Sequence, residues 1–318
     1  MINSILYSKT LILEVYLIGY SNQGESIVFL LKADGHVAYA GVVDCYECHS
    51  INKTIDILNT EGVEKIDFLC WTHPHDDHTV GLNRILESFC DDRTKIWITD
   101  IYPKSYDHYS QESIKLYESI KKRIKERNSK VKIATDNKLL AKFRCHGLQT
   151  YQFEIWSFAP NSTILTERKE FSKSEKGNPY SVGLSIFAGR YNIMLGGDVE
   201  NQTINRFEEE YFDTPIDYIK IPHHGSSTGD KLPEIIGLFG LKPPNIATST
   251  VYTRHKLPEE DVLKKYQSWG TREIYITHGL DRFVNKEKYG IVLTSFDILE
   301  EREYPIETIL LGNSISYL

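Results

Sequence analysis

The 318 residues predict an α/β protein folded as an αββα sandwich. Two observations carry that prediction. Strand-like runs dominate two halves, roughly 1–150 and 151–318, and helical runs flank each half, which describes a sandwich better than a doubly wound parallel sheet. No short-period repeat or low-complexity linker divides the chain, so one domain spanning 1–318, with a helical insertion at about 105–140, is expected.

Each element has its own signal. LILEVYLIGY, ESIVFLLKA and HVAYAGVVD, within Leu11 to Val43 and Asp44, are rich in β-branched and aromatic residues. They break at Ser21–Gly24 and Asp34–Gly35 and read as two or three strands. Ile51 to Glu61 spaces its apolar residues helically and stops near Gly62. KIDFLCWT is a buried strand running into His73, Gly81 to Phe89 a helix, and KIWIT a further strand. Ser110 to Arg127 is the clearest amphipathic helix, with Ile114, Tyr117, Ile120 and Ile124 as its apolar stripe. Its basic face, Lys121–Arg127, is of the kind that ordinarily faces solvent. QFEIWSFAP starts the second half as a strand, and the polar stretch Asn161 to Asn178 is expected to be a long loop facing the active site. SVGLSIFAG and YNIMLGGD pair as a hairpin, and PIDYIKIPHHG is a strand ending in a loop. Glu259–Trp269 is a helix, REIYIT a strand, and a hairpin closes the chain.

With 41% hydrophobic and 25% charged residues the composition is that of an ordinary soluble globular protein. A formal charge of −7 argues against broad, non-specific nucleic-acid binding, while leaving room for a locally basic groove. The apolar run Leu11 to Tyr20 contains Glu14 and is far shorter than the ~20 residues of a spanning helix, so no membrane insertion is expected. No basic start followed by an apolar run and a small-residue cleavage site marks a signal peptide, which makes the cytoplasm the expected location. Five scattered cysteines, an odd number, suit a reducing compartment.

The decisive run is Thr72-His73-Pro74-His75-Asp76-Asp77-His78. Three imidazoles and two carboxylates directly after a buried strand are ligands for catalytic zinc, and they also suit manganese or iron. Pro74 keeps the run out of a helix, so His73 and His75 can point to one side of an extended tip. Asp77 and His78 can then face a second ion, and Gly81 lets the following helix begin close by.

His-x-His-x-Asp-His is the hallmark of metallo-β-lactamase-fold hydrolases, and the resemblance extends over nearly the whole chain. Asp44, closing AGVVD, resembles that superfamily's first motif, an Asp bracing the metal loop, and Asp198 in IMLGGDVE resembles the Asp that bridges two metals. A bridging carboxylate binds one ion through each oxygen, at the ~3.5–4 Å separation of two-metal hydrolases. The finer resemblance is to the soluble hydrolase branch of the competence proteins. It rests on Gln23-Gly24-Glu25-Ser26, Asn178 with Ser181, Gly197-Asp198, and Ile221-Pro222-His223-His224-Gly225-Ser226-Ser227. In that branch the His-His-Gly-Ser stretch resembles a metal ligand, its first His, followed by a phosphate-facing turn. His255 then occupies the last motif.

Two departures stand out. No histidine lies between Gly147 and Asp198 to complete the first metal site, and His146 precedes its strand on the wrong side; the competence branch has Asn and Ser there instead. The branch's His-Pro pair is here His255-Lys256, with proline only at Pro258. The residues leave open which histidine completes the second site. His223 is the choice, because the apolar run Tyr218, Ile219, Ile221 delivers it as β-structure delivers His73, and His255 is read as a proton donor to the leaving group. His278 ends a strand but matches no ligand of the branch. Cys45-Tyr46-Glu47-Cys48-His49 fits the attachment motif of c-type haem; without an export signal it reads as a plain cysteine pair.

The expected ligand set is therefore His73, His75, Asp77, His78, Asp198 and His223, holding one or two divalent ions, zinc or manganese. Asp44, Ser181, His224 and Ser226 are expected around them. Asp77 and His255 are the expected catalytic residues, Asp77 also orienting a nucleophilic hydroxide generated on the ions. Ser226, Ser227 and the amides after Gly225 are expected to hold a phosphate oxygen. Phosphodiester cleavage, of nucleic acid or a nucleotide, is what the competence resemblance implies. Hydrolysis of a carbon-centred bond (lactone, thioester or β-lactam) on the same scaffold is the alternative, and a metal-binding protein without turnover a third reading.

Overall fold

The computed structural model describes residues 8–100, 109–126, 130–146, 150–171, 178–279, 288–299 and 306–318. Strands β1 (Leu11–Tyr20), β2 (Glu25–Ala33) and β3 (His36–Val43) form an antiparallel meander. Alternation along β1 sends Leu11, Leu13, Val15 and Leu17 into one core and Tyr16, Ile18 and Tyr20 into another. Helix α1 (Lys53–Thr60) is started by Asn52, whose side chain accepts the Ile55 amide at 3.1 Å. It returns the chain to β4 (Phe68–Trp71), parallel to β3. The short α2 (Asp76–Thr79) and then α3 (Leu82–Phe89) follow; α3 starts from Gly81, whose φ of 111° only glycine adopts freely.

Strand β5 (Lys95–Ile98), helix α4 (Gln111–Lys125) and strand β6 (Lys130–Ile133) complete this half, with β5 and β6 parallel to β4. The helix expected at 110–127 is thus present, capped by Ser110, but its buried stripe is Ser113, Leu116 and Ile120. Ile114 and Tyr117 are half-buried and Ile124 is exposed, while Arg123 in the last turn donates to the Leu86 carbonyl of α3 at 2.7 Å. Arg127 and residues 101–108 lie outside the described residues. The stretch 105–140 is not purely helical, since β6 extends the sheet.

In the second half β7 (Lys138–His146) and β8 (Thr150–Ala159) pair antiparallel, and α5 (Ser162–Phe171) follows. The loop expected at 161–178 is therefore helical over most of its described part. Strands β9 (Gly183–Ala188) and β10 (Tyr191–Leu195) make the expected hairpin. Helix α6 (Asn201–Ile204), β11 (Tyr218–Lys220), α7 (Leu232–Leu238), β12 (Ile246–Ser249), α8 (Glu260–Trp269) and β13 (Glu273–Ile276) then run as parallel crossovers from β10. The closing pair β14 (Tyr289–Asp297) and β15 (Ile306–Gly312) crosses back to the first sheet, β14 lying against β1, while β16 (Ile315–Ser316) returns to β13.

Two eight-stranded sheets result, ordered β15-β14-β1-β2-β3-β4-β5-β6 and β16-β13-β12-β11-β10-β9-β8-β7. Phe29, Phe68, Trp97, Phe153, Ile186 and Leu195 pack between them. Leu69, Trp71, Leu86 and Leu116 fill the layer under α1, α3 and α4, and Ile219, Ile236, Leu263 and Tyr266 that under α7 and α8. This is the αββα sandwich that the sequence predicts. Both sheets turn from antiparallel to parallel pairing, at β3 and at β10. Loops leaving the carboxyl ends of the parallel strands converge there, the usual place for a site in such sheets. No helix among the described residues is long and apolar enough to cross a membrane.

Candidate metal centre

Asp198 sits at the middle of the convergence, fully buried, with its two oxygens facing different groups. Oδ1 lies 3.3 Å from His78 Nε2 and 3.5 Å from His224 Nε2; Oδ2 lies 3.5 Å from His73 Nε2 and 3.8 Å from His223 Nε2. Among the described residues, two sets each bring one donor atom per side chain within 4.8 Å of the others: His73, His75 and Asp198, and Asp77, His78, Asp198 and His224. Gly197 makes the turn before Asp198 at φ 51°, and a Cβ there would stand 2.6 Å from the Val182 carbonyl oxygen. Ser181 Oγ accepts the Asp198 amide at 2.8 Å, so it acts on Asp198 through the backbone.

The imidazoles are aimed by hydrogen bonds behind them. Asp44, at φ 55° after β3, accepts the Thr72 amide (2.7 Å) on Oδ1 and the Thr72 hydroxyl (2.5 Å) on Oδ2. His78 Nδ1 donates to the same Oδ2 at 2.7 Å. The single Thr72 proton is spent on Asp44, so His73 Nδ1, 3.0 Å from that hydroxyl, must be the donor. One carboxylate thus fixes two tautomers and leaves Nε2 of both rings for the centre. A matching relay holds His224. Thr250 Oγ1 donates to Glu25 Oε2 (2.8 Å) and so accepts from His224 Nδ1 (2.6 Å). Helix α4 supports the first loop through Ser113, whose hydroxyl donates to the Pro74 carbonyl at 3.0 Å.

The electrostatics call for cations. Burial pulls His78 down, but Asp198, Asp77 and Asp44 outweigh it and hold its imidazole well above the usual range. Burial likewise works against a charge on His224, and Asp198, Asp77 and Glu25 lift it to about 9. Burial opposes ionisation of Asp198, which the imidazoles of His224, His78 and His223 reverse. His73 goes the other way: burial, with His78 and His75 adding to it, keeps it neutral, and its Nε2 has no hydrogen-bond partner among the described residues. Among the described residues imidazoles face both carboxylates: His78 and His224 face Asp77, and these two with His223 and His73 face Asp198. A neutral, unpartnered imidazole nitrogen beside two carboxylates is a donor set for divalent ions.

Several expectations change in this geometry. His224, rather than His223, stands with Asp77, His78 and Asp198. His223 is partly exposed, its Nε2 3.1 Å from Asn178 Nδ2 and its Nδ1 2.6 Å from Thr228 Oγ1. The reason is backbone: both residues have positive φ, 47° and 51°, so the strand no longer dictates their direction. The phosphate-facing turn is already filled. Ser227 donates its amide (2.9 Å) and hydroxyl (2.8 Å) to Glu259 Oε1, and Ser226 Oγ accepts the Thr228 amide at 3.3 Å. His255 is exposed at the rim, its ring 4.8 Å from that of Tyr252, which lies 5.7 Å from His224, so it belongs to neither donor set. His278 is buried elsewhere, held down to about 4 by burial, and joins neither set. Cys45 and Cys48 are free and buried; Cys45 Sγ contacts Asn52, the cap of α1, and Cys48 Sγ lies 3.1 Å from His49 Nδ1.

Sequence reasoning missed Ser113, Lys220, Thr250 and Glu259 as site residues, and quoted Thr72 and Glu25 without a role. Lys220 carried a usable signal: a lone lysine in the apolar run YIKIP has to find a partner inside. The others are ordinary Thr, Ser and Glu residues whose significance comes only from the fold.

No family model matches the chain. A curated protein of Escherichia coli (strain K12), the uncharacterized protein YcaI, is 28% identical over 123 residues, 38% of this chain and 16% of that protein. Similar solved structures include the metallo-β-lactamase-fold protein YhfI of Bacillus subtilis, with 12% identity, a TM-score of 0.46, and coverage of 83% of this chain and 96% of that one. Zinc-bound PqqB of Methylobacterium extorquens shares 10% identity over 79% of this chain and 85% of its own, with a TM-score of 0.39. A metallo-β-lactamase of Hirschia baltica shares 14% over 70% and 92%, with a TM-score of 0.35. Likeness at this level concerns the fold alone.

Proposed function

We propose that this chain is a metal-dependent hydrolase that holds two divalent ions on either side of Asp198 and cleaves phosphodiester bonds. The metal reading rests on one observation: Asp198 turns one oxygen to each of two His/Asp groups. His73, His75 and Asp198 Oδ2 would hold one ion; Asp77, His78, His224 and Asp198 Oδ1 the other. Zinc or manganese bound there supplies Lewis acidity, which lowers the pKa of water and offsets charge built up in the transition state.

The chain's own groups do the rest. Asp77, kept ionised by His78 and His224 against the effect of burial, orients the attacking water. Asp44 and the Glu25–Thr250 relay keep the ring nitrogens aimed. As the bond to the leaving oxygen breaks and that oxygen takes the electron pair, a ring nitrogen of His255 at the rim gives it a proton. Arg254, His255 and Lys256 form an exposed basic corner next to Tyr252, which suits an anionic substrate. This corner and the resemblance to the competence branch support the phosphodiester reading; the Ser226–Ser227 turn does not.

Elemental analysis of purified protein, followed by assays with added zinc or manganese, tests both levels. Two equivalents of metal and turnover of bis-p-nitrophenyl phosphate or single-stranded DNA are expected. Turnover of nitrocefin or a thioester with phosphodiesters untouched would move the reading to carbon-centred hydrolysis. Metal without turnover of any of these would make the chain a binding protein.

A further inference from the structure

The donor sets leave one buried feature unexplained. Glu25 and Lys220 are both almost completely buried, with Lys220 Nζ 2.7 Å from Glu25 Oε2. A buried ion pair is weak evidence for stability, since apolar side chains of similar volume commonly serve as well. Its placement is more telling. Glu25 opens β2 in the first sheet and Lys220 closes β11 in the second, so the pair links the two sheets at the rim where the site lies. Each partner spends a further bond on the metal centre. Lys220 Nζ donates to the Gly197 carbonyl at 3.0 Å, the peptide directly before Asp198. Glu25 Oε2 takes the only proton of the Thr250 hydroxyl, which obliges His224 Nδ1 to donate to that hydroxyl.

Building on the two-ion reading, we propose that Glu25, Lys220 and Thr250 form a positioning device for the second ion. They fix the tautomer and aim of His224 and the backbone ahead of Asp198, so occupancy of the Asp77–His78–His224 position depends on them. The ion held by His73 and His75 has its own support in Asp44 and Thr72, and shares with the device only Asp198, so it depends on Thr250 not at all and on Lys220 less than the second ion does.

The test uses zinc and cobalt(II) on the full chain. Competition titration gives the affinity of each ion, and the cobalt visible spectrum reports its coordination. Thr250→Val keeps shape and removes the hydroxyl, and Thr250→Ser restores it. The double variant Glu25→Gln, Lys220→Met removes both charges together, so neither is stranded. Leu58→Ala, in the core under α1, serves as a control for lost stability alone. Thr250→Val is expected to bind one of the two ions about 10–100-fold more weakly, with an altered cobalt spectrum, and the double variant to weaken that ion more than the other. Thr250→Ser and Leu58→Ala should bind both ions as the unaltered protein does. Unchanged affinity for both ions in Thr250→Val and the double variant would overturn the inference, as would equal weakening of both ions in Thr250→Val. If the unaltered chain binds no divalent ion, the two-ion reading itself fails, an outcome separate from either of these.

Discussion

Residues 72–79 after β4 and residues 221–229 after β11 both bring histidines against Asp198, but they do it with opposite backbones. The first loop bends at Pro74, where the His75 amide donates to the His73 carbonyl at 3.1 Å, and is extended at His75, at φ −99° and ψ 149°, before turning into α2. His73 and His75, on either side of that bend, fall in one donor set, and the helical turn carries Asp77 and His78 to the other. In the second loop His223 and His224 are consecutive and both left-handed, a conformation costing a non-glycine residue roughly 1–2 kcal/mol. Adjacent side chains then diverge: His224 enters the centre and His223 turns toward Asn178, Glu200 and Thr228. Strain of this kind persists only where the surroundings hold it, and it gathers at functional sites. Spacing alone therefore says less about the second loop, where the left-handed backbone sets which histidine faces Asp77 and His78.

The largest expected effect comes from the residue the loops share. Asp198→Ala should lose both ions and lower turnover by about 10³-fold or more, taking ~4 kcal/mol as the charge stabilisation the ions supply. Elemental analysis and a rate measurement check it; retention of one full equivalent would mean that the two sets do not meet at Asp198. Next comes the separation of the adjacent histidines. His224→Ala should remove one equivalent of metal and most activity, whereas His223→Ala should keep both equivalents and lose activity about 10-fold or less. The reverse pattern would restore the assignment that the sequence spacing favoured.

What the sequence makes legible follows from the same contrast. The strands rich in β-branched and aromatic residues, the helix from Ser110 and the β9–β10 hairpin are set by local rules, and they are present. The return of β14 to β1, and helix α5 in a polar stretch, depend on contacts between distant parts of the chain. So does the site's supporting shell: Glu25 lies 195 positions from Lys220 and 225 from Thr250, and only the facing of two sheets joins them. The Ser226–Ser227 turn reads locally as an anion site. The carboxylate that Ser227 holds there is the chain's own Glu259.

A milder change sharpens the view that each loop has its own support. Asp44→Asn keeps the shape but weakens the hold on His78 and on Thr72, and through Thr72 on His73. Because these rings serve different donor sets, both ions should bind about 10–100-fold less tightly, unlike the one-ion effect expected at Thr250. Titration with zinc distinguishes the two patterns.

The smallest effect is expected at the filled turn. Ser227 gives both its amide and its hydroxyl to Glu259 Oε1, and the Ser226 hydroxyl is engaged with Thr228. A substrate phosphate approaching these groups would meet a carboxylate already seated there. Ser227→Ala should therefore leave the KM for bis-p-nitrophenyl phosphate within about 2-fold, and cost about 1 kcal/mol of stability through the lost hydrogen bond. Arg254→Ala, in the basic corner by Tyr252, should raise that KM by several-fold with kcat little changed, since a rim charge serves binding of the anion more than the chemistry. If Ser227→Ala raises KM ten-fold and Arg254→Ala does nothing, the substrate enters over the second loop by displacing Glu259, and the basic corner has no part in binding it.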